Sequence, residues 1–152
     1  DGVGYSTEDI DALVQQLREQ IEIDKELDDH NVKIGTQEHI VLDTRLGFHF
    51  IPQSFKVFLD LDPSIAAERI LKDAEQNPNR ARESKASFDT RENIIASITS
   101  RLASERQRYL DLYGIQDQTD PSHFDLVIDT GTISLEDVAN TIVTAYTHWL
   151  TK

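Results

Sequence analysis

Three short apolar runs that each end in an acid constrain this chain more than any other feature: His39-Ile-Val-Leu-Asp43, Phe55-Lys-Val-Phe-Leu-Asp60 and Leu126-Val-Ile-Asp129. Runs of that length, bounded by polar loops, read as buried strands, and each is followed by a helical pattern. A parallel neighbour can be reached only by crossing over the face of the sheet, so this alternation implies parallel strands with right-handed crossovers. The expected fold class is α/β, with these three strands in one sheet.

The longest helical pattern is Asp89–Gly114. Ile94, Ile98, Leu102, Tyr109 and Leu112 recur at the steps of one helical face, and Gly114 stands where a left-handed C-terminal cap is wanted. Beside that apolar stripe runs a charged one, Arg101, Glu105 and Arg108, spaced i, i+4, i+7. Such a stripe is either solvated surface charge or a set of groups aimed at an anion. Near the N-terminus, Ser6 and Thr7 followed by Glu8 and Asp9 read as a helix start, continued by Ile10, Leu13, Val14, Leu17 and Ile21. The charged segment Glu22–His30 reads as a short helix or a loop, and Gly35-Thr36 as a turn. Asp62-Pro63 is a cap followed by a first-turn proline, opening a helix over Ser64–Glu75, and Ser134 caps a final helix that runs through Val138, Ile142, Tyr146 and Trp149. Between the helix over Ser64–Glu75 and the long helix, Gln76–Ser87 holds no apolar side chain beyond two alanines, yet carries Arg80, Arg82 and Lys85. That segment is an exposed loop or a basic lid over an anion.

A length of 152 residues suits a single domain, expected over 1–152. The formal charge of −13 repels nucleic-acid backbones and anionic membrane surfaces, so neither is an expected partner. With no cysteine, disulfides and thiolate metal sites are excluded, and a cytoplasmic location is the expectation. The five histidines show no zinc-binding spacing.

In an open parallel sheet, ligands bind beyond the carboxyl ends of the strands. Asp43 with Arg45 is the most informative pair there: an acid ending a strand can hold hydrated Mg²⁺, and an arginine two positions on can fork a phosphate. Asp60 and Asp62 read instead as turn and cap residues.

Three motifs then resemble the nucleoside-monophosphate kinases, most closely the cytidylate kinase family with its archaeal-like branch. Val41-Leu-Asp-Thr-Arg-Leu-Gly47 is similar to that family's strand and D/E-G-R turn. Arg101-Leu-Ala-Ser-Glu-Arg-Gln-Arg-Tyr109, running into Tyr113-Gly-Ile-Gln-Asp117, resembles its R-x-x-S-D/E-x-x-R-Y helix. Phe124-Asp-Leu-Val-Ile-Asp-Thr130, then Ser134-Leu-Glu-Asp-Val138, resembles Y-D-L-V-I-D/N-T followed by S-P-E-E-V. The resemblance implies a three-layer P-loop kinase fold and transfer of the ATP γ-phosphoryl group to CMP or dCMP, with Mg²⁺. It also implies roles. Arg101 with the lid residues Arg80 and Arg82 would act at the transferring group; Arg45, Arg108 and Glu105 would serve the acceptor; Arg69, Thr130 and Gly131 would border the donor base; Asp43 would hold the metal through water.

Two departures stand against the pattern. Thr44 occupies the turn position where the family has glycine, and no G-x-x-x-x-G-K-[ST] exists among the six glycines. The resemblance places that loop in a strand-loop-helix unit ahead of Asp1. Two alternatives follow: a small-molecule kinase acting on AMP, UMP or a non-nucleotide, and a non-catalytic domain that binds a nucleotide or a partner.

Overall fold

The computed structural model describes residues 7–76 and 90–151, which fall into two compact units, Asp1–Ser54 and Phe55–Lys152. Each unit is built around its own contacts.

The first unit is dominated by α1 (Thr7–Ile34), a single helix of 28 residues. The charged segment Glu22–His30, expected as a short helix or a loop, continues it unbroken. No glycine or proline interrupts the chain between Tyr5 and Gly35, and Asp29 and Lys33 sit one turn apart with the acid first, a spacing that supports a helix. The expected Ser6 cap lies outside the described residues. At Gly35 the chain turns and is pressed against Ile51: a Cβ at Gly35 would lie 2.8 Å from that side chain. A one-turn helix, α2 (Gly47–Phe50), follows, anchored by buried Leu46 and Ile51.

The run His39–Asp43 corrects the sequence reading. It is not a strand: among the described residues it has no ladder partner, and Val41 is 99% exposed. His39 enters it in the left-handed region, at φ +60°. A strand exists through its neighbour, since its backbone N–H and C=O groups need a second chain to bond. This run, within its own unit, meets none.

The other two runs do pair. β1 (Val57–Asp60) and β2 (Leu126–Asp129) form a parallel two-stranded sheet in the register Val57↔Leu126 through Asp60↔Asp129. The first connection of the unit is α3 (Pro63–Gln76), capped as expected: the Ser64 N–H donates to Asp62 Oδ1 at 2.7 Å, and the Ser64 hydroxyl donates to the same oxygen. α4 (Arg91–Tyr113) packs on α3, with Ala67 of α3 and Ile94 of α4 fully buried. Thr90 caps its start by accepting the Asn93 N–H, and Gly114 closes its end at φ +71°. A cap of that sign favours glycine, which lacks the Cβ that opposes left-handed backbone. A 3₁₀ turn (Pro121–His123) leads into β2, and α5 (Leu135–Trp149) completes the chain behind its Ser134 cap. Phe55, Tyr146 and Trp149 cluster with ring centroids 5.7–6.0 Å apart, tying α5 to the approach to β1.

Candidate active site

The carboxyl ends of the two paired strands converge on one loop. The Thr130 N–H and hydroxyl both donate to the Asp60 carbonyl, at 2.9 and 3.0 Å, so the chain leaving β2 folds back across the end of β1. The Gly131 N–H donates to Asp129 Oδ1 at 2.8 Å. Residue 131 must be small: a Cβ there would stand 2.9 Å from Ile65 Cδ1 and 3.0 Å from the Asp129 carboxylate. From α3, Arg69 Nη2 donates to the Thr130 carbonyl at 2.6 Å. The three residues assigned to a donor-base border are thus one connected structure. Asp60 and Asp62 serve local backbone, as expected, Asp60 accepting the Leu61 N–H and Asp62 capping α3. The Ser64 hydroxyl and N–H hold the Asp62 carboxyl below the usual range, with a smaller contribution from Arg91.

The charged stripe of α4 is not uniformly solvated. Glu105 is buried, at 9% exposure, while its partner Arg101 reaches outward with the guanidinium Nε 3.9 Å from Glu105 Oε1. Leu102, expected in the apolar stripe, is instead exposed at 38%. The buried side of α4 is therefore rotated towards the charged stripe, bounded by Ile94, Glu105 and Tyr109. Arg108 lies half-buried with its guanidinium carbon 5.4 Å from the Tyr109 ring centroid, a distance at which cation and ring attract. Arg106, off the stripe, is committed to Asp117 at 2.6 Å. Hydrogen bonds from the Thr119 side chain and backbone, then that arginine, bring Asp117 down to about 2.

In the first unit, Asp43 and Arg45 are both exposed on the turn ahead of α2. Thr44, the departure from the family's glycine, packs its methyl against the next glycine: a Cβ at Gly47 would meet Thr44 Cγ2 at 2.5 Å. The turn has exchanged one small residue for a larger one and keeps Gly47 to make room. Arg80, Arg82 and the lid after Gln76 lie outside the described residues. Among the sequence-derived site residues, the structure joins Arg69 to Thr130 and Gly131, and Arg101 to Glu105.

One contact escaped the sequence reading. Arg91, the first residue of α4, sits with its Nε 3.4 Å from Glu68 Oε1 of α3, an ionic contact without hydrogen-bond alignment. A signal for it was present: a cation at a helix N-terminus opposes the helix dipole and calls for an acid nearby.

Comparison with known proteins agrees with the motifs. The family model for cytidylate kinase matches residues 4–148. A cytidylate kinase from Methanosphaera stadtmanae is 32% identical over 121 residues, covering 79% of this chain and 62% of its own. That of Methanocaldococcus jannaschii is 30% identical over 147 residues, covering 90% of this chain and 72% of its own. A different kind of relative is an S-adenosylmethionine-dependent nucleotide dehydratase from Lacinutrix mariniflava, 33% identical over 138 residues, of which the matched part is only 26%. The chain thus spans about a quarter of that dehydratase and about six-tenths of the Methanosphaera kinase. No solved structure matches it. With a family model covering nearly all of its length, this chain belongs to the cytidylate kinase family.

Proposed function

We propose that the protein transfers the γ-phosphoryl group of ATP to a nucleoside monophosphate, with CMP or dCMP as the favoured acceptor. The observation that carries this reading is the pair on α4, a buried carboxylate at Glu105 behind an outward guanidinium at Arg101. Phosphoryl transfer asks for little covalent chemistry and much fixed positive charge around the moving group. A carboxylate behind an arginine aims the guanidinium and leaves its outer N–H groups for an anion.

In this reading Arg101 and Arg108 line the transfer site, and Arg45 forks the acceptor phosphate. Arg80 and Arg82 close over the transferring group and exclude water. Arg69, held edge-on by the Thr130 carbonyl, offers its plane to the donor base beside the tight Gly131 loop. The exposed Asp43 carboxylate suits a hydrated Mg²⁺, which keeps most of its waters and takes one or two carboxylates along with phosphate oxygens. No group of three His, Cys, Asp or Glu among the described residues offers a drier cage. When bound with nucleotide, Mg²⁺ supplies neutralisation of phosphate charge. The reading also requires a donor-phosphate loop, which these 152 residues do not contain.

The test is the intact mass of the natural protein followed by ATP-dependent assays with CMP, dCMP, UMP and AMP. A mass above the 17.3 kDa of this chain by roughly 3–5 kDa, one strand-loop-helix unit of about 30 or more residues, is expected. ADP release with CMP or dCMP preferred is the second expected result. Absence of transfer to all four acceptors overturns the reading; preference for UMP or AMP moves it to another small-molecule kinase. An Arg45→Ala, Arg101→Ala double variant with undiminished transfer removes the site assignment.

The Lacinutrix relative favours a second reading, in which this chain is the nucleotide-phosphorylating part of a longer polypeptide whose remainder acts on the nucleotide product. An intact mass several-fold larger than 17.3 kDa would favour it.

A further inference from the structure

Two neighbouring residues of α3 reach in two directions. Arg69 holds the loop after β2 through the Thr130 carbonyl at 2.6 Å, and Glu68 meets Arg91 at the start of α4 at 3.4 Å. Successive helical residues point about 100° apart, so one step along α3 spans both contacts. α3 also packs on α4, and Ala67 of α3 and Ile94 of α4 are both fully buried. α3 is therefore a brace. One side fixes the loop assigned to the donor base; the other fixes the first residue of the helix that carries Arg101 and Arg108.

On the kinase reading above, we infer that Glu68 is a positioning residue, holding Arg91 so that the arginines of α4 keep a fixed separation from the Arg69–Thr130 loop. Two observations favour positioning over general stabilisation. Arg91 stands at a helix N-terminus, where its own charge is unfavourable, so Glu68 offsets a local penalty that a neutral residue would not incur. The two side chains are 41% and 65% exposed, and pairs that open to water add little to stability. A contact with a small share in stability, placed between two halves of one site, is seen in the rates.

The experiment uses the protein produced from its complete coding sequence, with Glu68→Gln, Arg91→Ala, Arg91→Lys and the charge exchange Glu68→Arg with Arg91→Glu. Thermal unfolding midpoints are expected within about 2 °C of the wild type. Glu68→Gln and Arg91→Ala are expected to lower kcat about 5- to 10-fold and to raise KM for ATP several-fold, leaving KM for the acceptor within about 2-fold. Arg91→Lys, which keeps the charge, and the exchange are expected to recover at least half of the lost kcat. Kinetics unchanged in Glu68→Gln overturn the inference. So does an Arg91→Ala defect much deeper than that of Glu68→Gln with no recovery on exchange, which would make Arg91 a direct ligand group. A parallel rise in both KM values with a large drop in unfolding midpoint overturns it in favour of a structural role. An inactive wild-type protein overturns the kinase reading and this inference together, whereas an active one with normal Glu68→Gln kinetics overturns this inference alone.

Discussion

His39-Ile-Val-Leu-Asp43 and Leu126-Val-Ile-Asp129 are nearly the same word: a short β-branched run closed by an aspartate. Their fates differ. In the second, Ile128 is 6% exposed, the run is laddered to β1, and the terminal Asp129 receives a backbone N–H from Gly131. In the first, Val41 is 99% exposed and the run is preceded by a left-handed histidine. Each apolar side chain brings the same driving force for burial, and what differs is whether another element stands where it can be met. The run at 126 has β1 beside it and α5 packed against it; the run at 39 has neither within its unit.

The comparison can be broken most sharply by truncation. Ile128→Ala is expected to cost about 2–4 kcal/mol, from lost burial and the cavity left behind, while Val41→Ala stays within about 0.5 kcal/mol. Chemical denaturation of both variants checks this. A Val41→Ala cost close to that of Ile128→Ala would mean that the first run is covered in the protein after all.

Gly131→Ala gives the next largest effect, since its Cβ would lie 2.9 Å from Ile65 and 3.0 Å from the Asp129 carboxylate. A cost of about 1–3 kcal/mol is expected from the displacement of packed atoms. On the kinase reading, a rise in KM for ATP should accompany it. Unchanged stability would show that the loop beyond the paired run has room for a methyl group.

A smaller effect comes from Asp117, whose hydrogen bonds from Thr119 and pairing with Arg106 lower its carboxyl from 3.8 to about 2. A depressed folded value means that the stabilisation is complete above pH 3.8 and lost as pH falls towards 2. Its side chain is 39% exposed, so after discounting for solvent the contribution is roughly 1 kcal/mol. Acid unfolding of Asp117→Asn should therefore begin from a lower plateau and show a shallower loss between pH 4 and 2. An Asp117→Asn curve parallel to the wild type in that window would remove this carboxyl from the account.

The smallest effect is a gain. His39 occupies the left-handed region without being glycine, and His39→Gly should raise stability by about 0.5 kcal/mol, the relieved strain slightly exceeding the added freedom of the unfolded chain. A fall in the unfolding midpoint instead would show that the histidine side chain anchors the entry to the unpaired run.

What was legible in the sequence follows the range of each interaction. The Asp62 and Ser134 caps and the Gly114 closure are contacts between residues two to four apart, and they fix where α3 and α5 begin and where α4 ends whatever packs around them. The stripe that carries Arg101 and Glu105 follows from periodicity, and the strand–helix alternation called for parallel pairing, which the runs at 57 and 126 show. Tertiary structure alone decided the rest. It left the run at 39 unpaired, rotated α4 so that Glu105 is buried and Leu102 exposed, brought Arg69 onto the Thr130 carbonyl, and set Glu68 against Arg91. These contacts join residues from different elements, 61 positions apart for Arg69 and Thr130. Local sequence does not name the partner in these contacts, because a side chain's period tells which way it faces and not what it will find there.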